Sequence, residues 1–439
     1  MARGKKKEAA LSPEERLQAA LVPENEQPYK VPGNWCWTRM KNIAQWGSGG
    51  TPSRKISEYY NGNIPWVKTG ELNNDYVFET EEHITQNAIL HSSAKLFPVN
   101  TVVIAMYGAT IGKVGILGVE ATTNQACACG VSNLLANYKY LFYYAISQKD
   151  NFINKGKGGA QPNISQEIIK SHEFPLPPLP EQQRIVDRIE SLFAKLDEAK
   201  QKAQDALDSF ETRKAAILHK AFTGELTAQW RKEHSVGMES WDTKPLSKIT
   251  NNHDSKRIPL SQVERSKLAR IYDYYGASGV IDKVDRFLFE GRKLLIGEDG
   301  ANLVTRSKPI AFIAEGQYWV NNHAHVLSAT PAILLDFLCH YINSIDLTPY
   351  VTGSAQPKMT QAKMNRIPIP IPIIDEQVEI VRILDDILAK EQQAKEAAEK
   401  VLEQIELTKK AILARAFRGE LGTNDPGEES AVEMLKAIL

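Results

Sequence analysis

The sequence predicts an α+β protein made of two related halves. Each half is an α+β domain followed by a long α-helix, and the two helices pair as an antiparallel coiled coil about a pseudo-two-fold axis. Three observations carry this. Residues 160–226 align with residues 355–421 without a gap, with 26 identities in 67 positions. Two copies at so long a period mean two halves, whereas a solenoid needs three or more short units. Each repeated block also places apolar residues at alternating four- and three-residue steps, the signature of a coiled coil. The segments ahead of the blocks diverge, are domain-sized, and mix short β-branched runs with Gly and Asn turns.

Composition narrows the function. The 439 residues allow two to four domains at ~100–200 residues each. Lys plus Arg equals Asp plus Glu, 53 of each, so the chain is not a broadly basic nucleic-acid binder and any DNA-binding charge is local. The balance also excludes a polyelectrolyte disordered chain. Cys36 and Cys339 are isolated, and Cys127 and Cys129 have no second pair nearby. A disulfide framework or zinc site is therefore not expected, and the thiols read as reduced, in a cytoplasmic protein. No run approaches the ~18 apolar residues of a membrane span. Residues 1–8 are basic without a following apolar stretch, which suits a frayed terminus around Lys5, Lys6 and Lys7 and not a signal peptide.

In chain order, residues 1–34 read as an N-terminal extension. The first domain spans 35–174 and opens on Trp35, Met40 and Ile43; the second spans 241–367 and opens on Trp241, Leu246 and Ile249. Val102-Val103-Ile104-Ala105 and Leu294-Leu295-Ile296 read as buried strands, and 138–148 and 332–343 as amphipathic helices. Residues 175–230 and 368–421 each join a proline run to a long helix. Pro175, Pro177, Pro178 and Pro180, and later Pro368, Pro370 and Pro372, exclude helix and central strand and favour extended chain. Helix follows at once, with Pro180 suited to a first helical position and Asp375 to an N-cap. The seam of the first helix runs through Ile185, Ile189, Leu192, Leu196 and Phe210, that of the second through Ile380, Leu384, Ile387, Val401 and Ile405. Residues 181–222 as one helix would span ~63 Å at 1.5 Å per residue, more than a domain of this size covers, so the two helices are expected to pack on each other. Gly224 and Gly419 stand just past the last turns, where a left-handed cap favours glycine. Residues 422–439 read as a C-terminal tail.

No enzyme motif stands out: there is no G-x-S-x-G, no H-E-x-x-H and no Asn/Asp-Pro-Pro-Tyr/Phe methyltransferase motif. Residues 108–114 approximate a phosphate loop but are one residue short between the glycines and lack the Mg²⁺-binding hydroxyl. His323 and His325 alternate as on a strand, with no third metal ligand evident in the sequence. What remains are loops that combine hydroxyls, backbone amides and cations. Such loops hold phosphates while neighbouring side chains read base edges. In the first half the candidates are Thr51, Ser53, Arg54 and Lys55, then Lys68, then Lys155, Lys157 and Gln161. In the second half they are Lys256 and Arg257, Arg306, and Ser354, Gln356 and Lys358.

Trp35 with Met40 and Ile43, Gly49-Gly50-Thr51-Pro52, Ile64-Pro65-Trp66, the junction 177–186 and the helix exit 221–231 together resemble the specificity subunits of type I restriction–modification systems. The resemblance covers roughly residues 30–425. It implies a non-catalytic subunit of an enzyme complex, with two target-recognition domains that each read one half of a bipartite, asymmetric double-stranded DNA sequence. The paired helices would fix the spacing of the two half-sites and bind two adenine-specific methyltransferase (modification) subunits, which restriction/translocase subunits join. S-adenosylmethionine and ATP with Mg²⁺ would belong to those partners, leaving no cofactor or metal in this chain. A stand-alone sequence-specific DNA-binding regulator and a structural coiled-coil scaffold are the alternatives, and co-purification with a methyltransferase separates all three. The second half has Asn251-Asn252-His253-Asp254-Ser255-Lys256-Arg257 where the first has its Gly-Gly-Thr-Pro turn. Its recognition loop is therefore expected to be built differently.

Overall fold

The computed structural model describes residues 12–156, 163–353 and 356–439. The chain divides into two units, Met1–Lys202 with Val401–Leu439, and Ala203–Lys400. Among the described residues, no helix is long and apolar enough to cross a membrane.

In the first unit the apolar run Val102–Ala105 is a buried strand at the centre of a five-stranded sheet. The order is Ala44–Ser48, Cys127–Ser132, Val102–Ala105, Val114–Leu117, Tyr76–Val77. A four-stranded sheet follows the order His83–Ile84, Tyr60–Val67, Ala121–Thr123, Leu96–Phe97. The helix Tyr138–Ser147 is capped by Asn137, whose side chain accepts from the amides of Lys139 and Tyr140. It buries Tyr140, Leu141, Tyr144 and Ala145 in the main core. The first proline run is extended: Glu173–Leu176 pairs antiparallel with Cys36–Arg39 in a two-stranded ribbon. A ribbon leaves one side of each strand open, so a proline there forfeits no ladder bond. The two ends of the chain also enter this core, through Leu17 and Ala20 of helix Pro13–Ala20 and Ala431 and Leu435 of helix Ala431–Ile438.

The second unit repeats the parts. Lys293–Gly297 is the buried strand, in the order Thr250–Asn252, Ala324–Ala329, Lys293–Gly297, Ala311–Ala314. A second sheet orders Gly279–Val284, Tyr272–Gly276, Gln317–Val320, Phe289–Glu290. The second proline run, Pro368–Ile371, pairs with Asp242–Pro245 in another ribbon. The helix here is Leu335–Ser344, starting three residues later than its apolar spacing suggests. Gln377 is the reason: its Oε1 accepts from the Leu334 amide (2.8 Å) and its Nε2 donates to the Ala332 carbonyl (3.0 Å), holding both residues in the junction.

The first long helix is not one uninterrupted run. It spans Leu179–Asp208, breaks at Ser209 and resumes as Phe210–Phe222. Backbone bonding crosses the break, from the Ser209 amide to the Asp205 carbonyl (3.1 Å) and from the Arg213 amide to the Ser209 carbonyl (3.0 Å). Arg213 disturbs the turn by donating back to the Ala206 carbonyl (3.3 Å) and to the Ser209 hydroxyl. The second helix, Ile374–Ala416, is unbroken. It begins one residue before Asp375, which is therefore not an N-cap but lies in the first turn, where the helix dipole favours an acid. Gly224 and Gly419 adopt φ of +81° and +74°, as left-handed caps.

Within each unit the start of one long helix runs beside the end of the other. In the first unit Ile185, Val186 and Ile189 share a core with Leu413, Ala416 and Phe417. Farther along, Asp197 pairs with Lys409 (2.5 Å) and Lys200 with Glu406 (2.9 Å). Residue numbers rise on one helix as they fall on the other, so the pairing is antiparallel. In the second unit Leu218 and Ala221 share a core with Ile380 and Leu384, and Arg213 pairs with Glu391 (2.9 Å). The seam is graded. Ile185, Ile189, Phe210, Ile380, Leu384 and Ile405 are buried; Leu192, Leu196 and Ile387 are half-buried. Val401 is 43% exposed, and the neighbouring Leu402 is half-buried. A straight helix drifts ~20° per heptad against a 3.5-residue repeat, ~60° over the three heptads from Ile380 to Val401, which turns position 401 toward the edge of the seam.

The repeated Glu-Gln pair ties each unit together. Glu181, fully buried, accepts from Trp35 Nε1 (2.7 Å) and Asn424 Nδ2 (2.8 Å). Glu376, also buried, accepts from Trp241 Nε1 (2.9 Å), the Thr227 hydroxyl (2.6 Å) and the Arg231 guanidinium. Gln182 repeats the role of Gln377, accepting from the Asn137 amide (2.8 Å) and donating to the carbonyls of Leu135 and Pro177. Each pair thus joins the start of a long helix, the opening tryptophan of a domain and the segment that follows the opposite helix.

Candidate nucleic-acid interface

In each unit the same four loops converge beside the ends of the buried strands. In the first unit they are 49–55, 106–113, 124–126 and the residues Asn163 and Ile164. Gly50 donates to the Thr123 carbonyl (2.9 Å), Met106 to the Ala126 carbonyl (2.8 Å) and Ile164 to the Met106 carbonyl (2.9 Å); Tyr107 bridges Asn163. The paired glycines allow the close approach, since a Cβ at Gly49 would collide with the Thr123 carbonyl and one at Gly50 with Ser93.

On this frame Thr51 bonds the Gln125 side chain, and Ser53 and Lys55 are exposed. Arg54 lies over the Tyr60 ring and donates from both terminal nitrogens to Glu82. Lys68 donates to Glu81 (2.8 Å) and Glu82 (3.2 Å). The hydrogen bond from Arg54, with help from Lys68, pulls the Glu82 carboxyl down to about 2 despite some burial. Lys155 is exposed and donates to Glu173 (3.1 Å), with the ring of His172 at 3.1 Å. Lys157 and Gln161 lie outside the described residues.

In the second unit the four loops are 251–257, 298–306, 321–324 and, of the last, the described residues 352–353 and 356–359. Gly300 donates to the Pro357 carbonyl (3.0 Å), Met359 to the Glu298 carbonyl (2.8 Å) and Glu298 to the His323 carbonyl (2.8 Å). The chemistry differs from the first unit. Met106 and Ala128, both buried, correspond to Glu298 and His325, because Ala128 pairs with Ile104 in one sheet as His325 pairs with Ile296 in the other. His325 Nδ1 meets Asp254 (2.6 Å) and its Nε2 meets the Met359 carbonyl (2.9 Å). Arg257 donates to Glu298 and to the Ala324 carbonyl, both at 2.7 Å, and Lys358 sits 3.1 Å from Glu298. Burial would raise the Asp254 carboxyl, but bonds from His325 and the Val326 amide hold it below its usual range.

Asp254, Glu298 and His325 thus offer ligand atoms within 4.8 Å of one another, a trio that the sequence did not suggest. Arg257 and Lys358 already satisfy Glu298, so the trio forms part of an ion-paired clamp between loops. Arg257, expected on DNA, is therefore internal. Arg306 is too: it closes the turn Asn302–Thr305 at φ +53° and donates to the Ile345 carbonyl, and burial lowers its pKa. Lys256 and Gln356 remain exposed, Lys358 half so, and Ser354 lies outside the described residues. Sequence reasoning missed Tyr107, Gln125 and His323 as neighbours of these loops. The faint echo of Asn124-Gln125 in Asn321-Asn322 was the signal available.

The model of the type I restriction modification DNA specificity domain matches residues 32–207 and again residues 238–404. A provisionally assigned type I restriction enzyme specificity subunit of Haemophilus influenzae is 37% identical over 147 residues, 33% of this chain and 37% of that protein. The chain thus spans little more than a third of that relative's length. The EcoprrI specificity subunit of Escherichia coli is 26% identical over 369 residues, 80% of this chain and 86% of that one. The crystal structure of the HsdS subunit from Thermoanaerobacter tengcongensis has the same fold, with a TM-score of 0.61 at 18% identity over 90% of this chain and 99% of that one. One family model matched twice, each time across a sheet-rich domain and much of its long helix, accounts for both halves of the repeat, and the chain belongs to the type I restriction–modification DNA specificity family.

Proposed function

We propose that this chain is the DNA-reading, non-catalytic subunit of a type I restriction–modification complex in the cytoplasm. The observation that supports this most directly is the repeated loop frame with unlike side chains. Two readers built alike but furnished differently suit a bipartite, asymmetric target. Each unit reads one half-site through base-edge hydrogen bonds in the major groove. Exposed cations such as Lys55 and Lys256 hold phosphates, which makes affinity salt-dependent. The long helices carry two adenine methyltransferase subunits, to which restriction subunits add. S-adenosylmethionine, ATP and Mg²⁺ belong to those partners, as do methyl transfer and cleavage. The test is co-expression with candidate methyltransferase subunits. A stable complex that methylates one bipartite motif is expected, with no methyl transfer by the purified chain alone. Tight, motif-specific binding without any methyltransferase would instead favour a free-standing regulator.

A further inference from the structure

We propose that Arg54 reads a base, and that the half-site met by the first unit contains a guanine at that position. The inference rests on the DNA-reading function proposed above. Among the candidate cations, Arg54 combines openness with rigidity. Its side chain is 57% exposed, yet its guanidinium carbon lies 4.4 Å from the Tyr60 ring centroid and 5.2 Å from that of Trp66. Tyr60 donates to the Pro52 carbonyl (2.6 Å) and Trp66 to the Gly50 carbonyl (3.0 Å), so the aromatic floor and the loop that carries Arg54 are one piece. Glu82 takes one proton from each terminal nitrogen, at 2.5 and 3.0 Å, and is itself held by Lys68.

This arrangement selects a base edge over a phosphate. Phosphate binding draws on net charge and tolerates a mobile side chain, as the adjacent Lys55 offers. Glu82 offsets the charge of Arg54 and would repel a phosphate. It leaves untouched the Nε proton and the outer proton of Nη2, a planar pair of donors along one edge of the guanidinium. That edge fits the O6 and N7 acceptors of guanine, the commonest specific major-groove contact. A side chain already stacked and hydrogen-bonded also loses less freedom on binding. In the second unit the corresponding loop spends no arginine this way, because Arg257 is folded onto Glu298. The effect is therefore confined to one half-site.

The experiment compares wild type, Arg54→Ala, Arg54→Gln and Lys55→Ala, each co-expressed with the methyltransferase subunits in a methylation-free host, by long-read sequencing of the modified motif. Arg54→Ala should make one guanine position degenerate in one half-site and leave the other half-site intact. Preference at that position should fall roughly 5- to 150-fold, equivalent to ~1–3 kcal/mol for a lost bidentate pair. Lys55→Ala should lower methylation at every site without altering the motif. An unchanged motif in Arg54→Ala, or a uniform loss like that of Lys55→Ala, overturns the proposal. Should Arg54→Ala fail to assemble, Arg54→Gln decides: a shift from guanine towards adenine, which Gln can pair, supports it, and retained guanine overturns it. A wild-type complex without a bipartite motif would remove the proposed function and this inference together. A normal wild-type motif indifferent to Arg54 removes the inference alone.

Discussion

Glu181 and Glu376 occupy the same place in the repeat and differ in what they face. Glu181 accepts from neutral donors, Trp35, Asn424 and the Thr423 hydroxyl, whereas Glu376 also neutralises the buried Arg231. Glu376→Ala would strand a buried cation, a loss of ~3–5 kcal/mol. Glu181→Ala leaves neutral donors unpaired, ~1–3 kcal/mol. Urea unfolding of the two variants should show the larger loss at residue 376. His172 offers a pH test. Burial, aided by Lys155 and opposed by Glu173, lowers its pKa from 6.5 to about 4. Between those values the unfolded chain binds a proton that the folded chain refuses, so stability falls as pH drops through the window. The ring resonances should titrate near pH 4, and His172→Gln should flatten part of the pH dependence of unfolding.

At the scale of elements, apolar spacing located both long helices, and glycine chemistry located their caps. The spacing could not say which seam residues are buried. Burial depends on what lies across the seam, and a 3.6-residue helix slowly rotates away from a 3.5-residue repeat. The outcome at Val401 shows the slip, and Leu196 is half-buried where Ile189 is fully enclosed by the domain core. Each helix start therefore packs both on its own domain and on the opposite helix. Ile189→Asp should cost ~3–5 kcal/mol, as an unpaired buried charge does. Leu196→Asp should cost ~1–2 kcal/mol, since water still reaches it. Thermal unfolding separates the two. If they destabilise equally, the seam is as tight in its middle as at its ends.

For the whole molecule, the two-fold plan was legible because the gap-free repeat is a one-dimensional fact. The candidate interface was legible only in part. Motif reading marks a loop as cationic but not which way its cations turn, and Arg257 and Arg306 each found a carboxylate or carbonyl within the protein. The proposed spacing role of the helices has its own test. Four helix-forming residues inserted near Ala203 add ~6 Å of rise and ~40° of rotation beyond one turn. One base pair adds ~3.4 Å and ~35°. Rotation should govern, because a reader turned off the groove loses its base contacts. The insertion variant should then methylate both half-sites with a spacer longer by about one base pair. An unchanged spacer at full activity would separate helix length from target spacing.

The first unit is written in two pieces, with the second unit's residues between Lys202 and Val401. On a ribosome the order of events follows. Some 200 residues must be made before Leu413, Ala416 and Phe417 emerge to complete the first core, a wait of ~10–40 s at 5–20 residues per second. During that interval Ile185, Val186 and Ile189 have their partners in their own domain but lack Leu413, Ala416 and Phe417. The unit that begins first is thus completed last, while the continuous second unit can close as soon as it is made. The nascent chain is most exposed to misassembly and to chaperone capture on the early surface that waits for its distant complement.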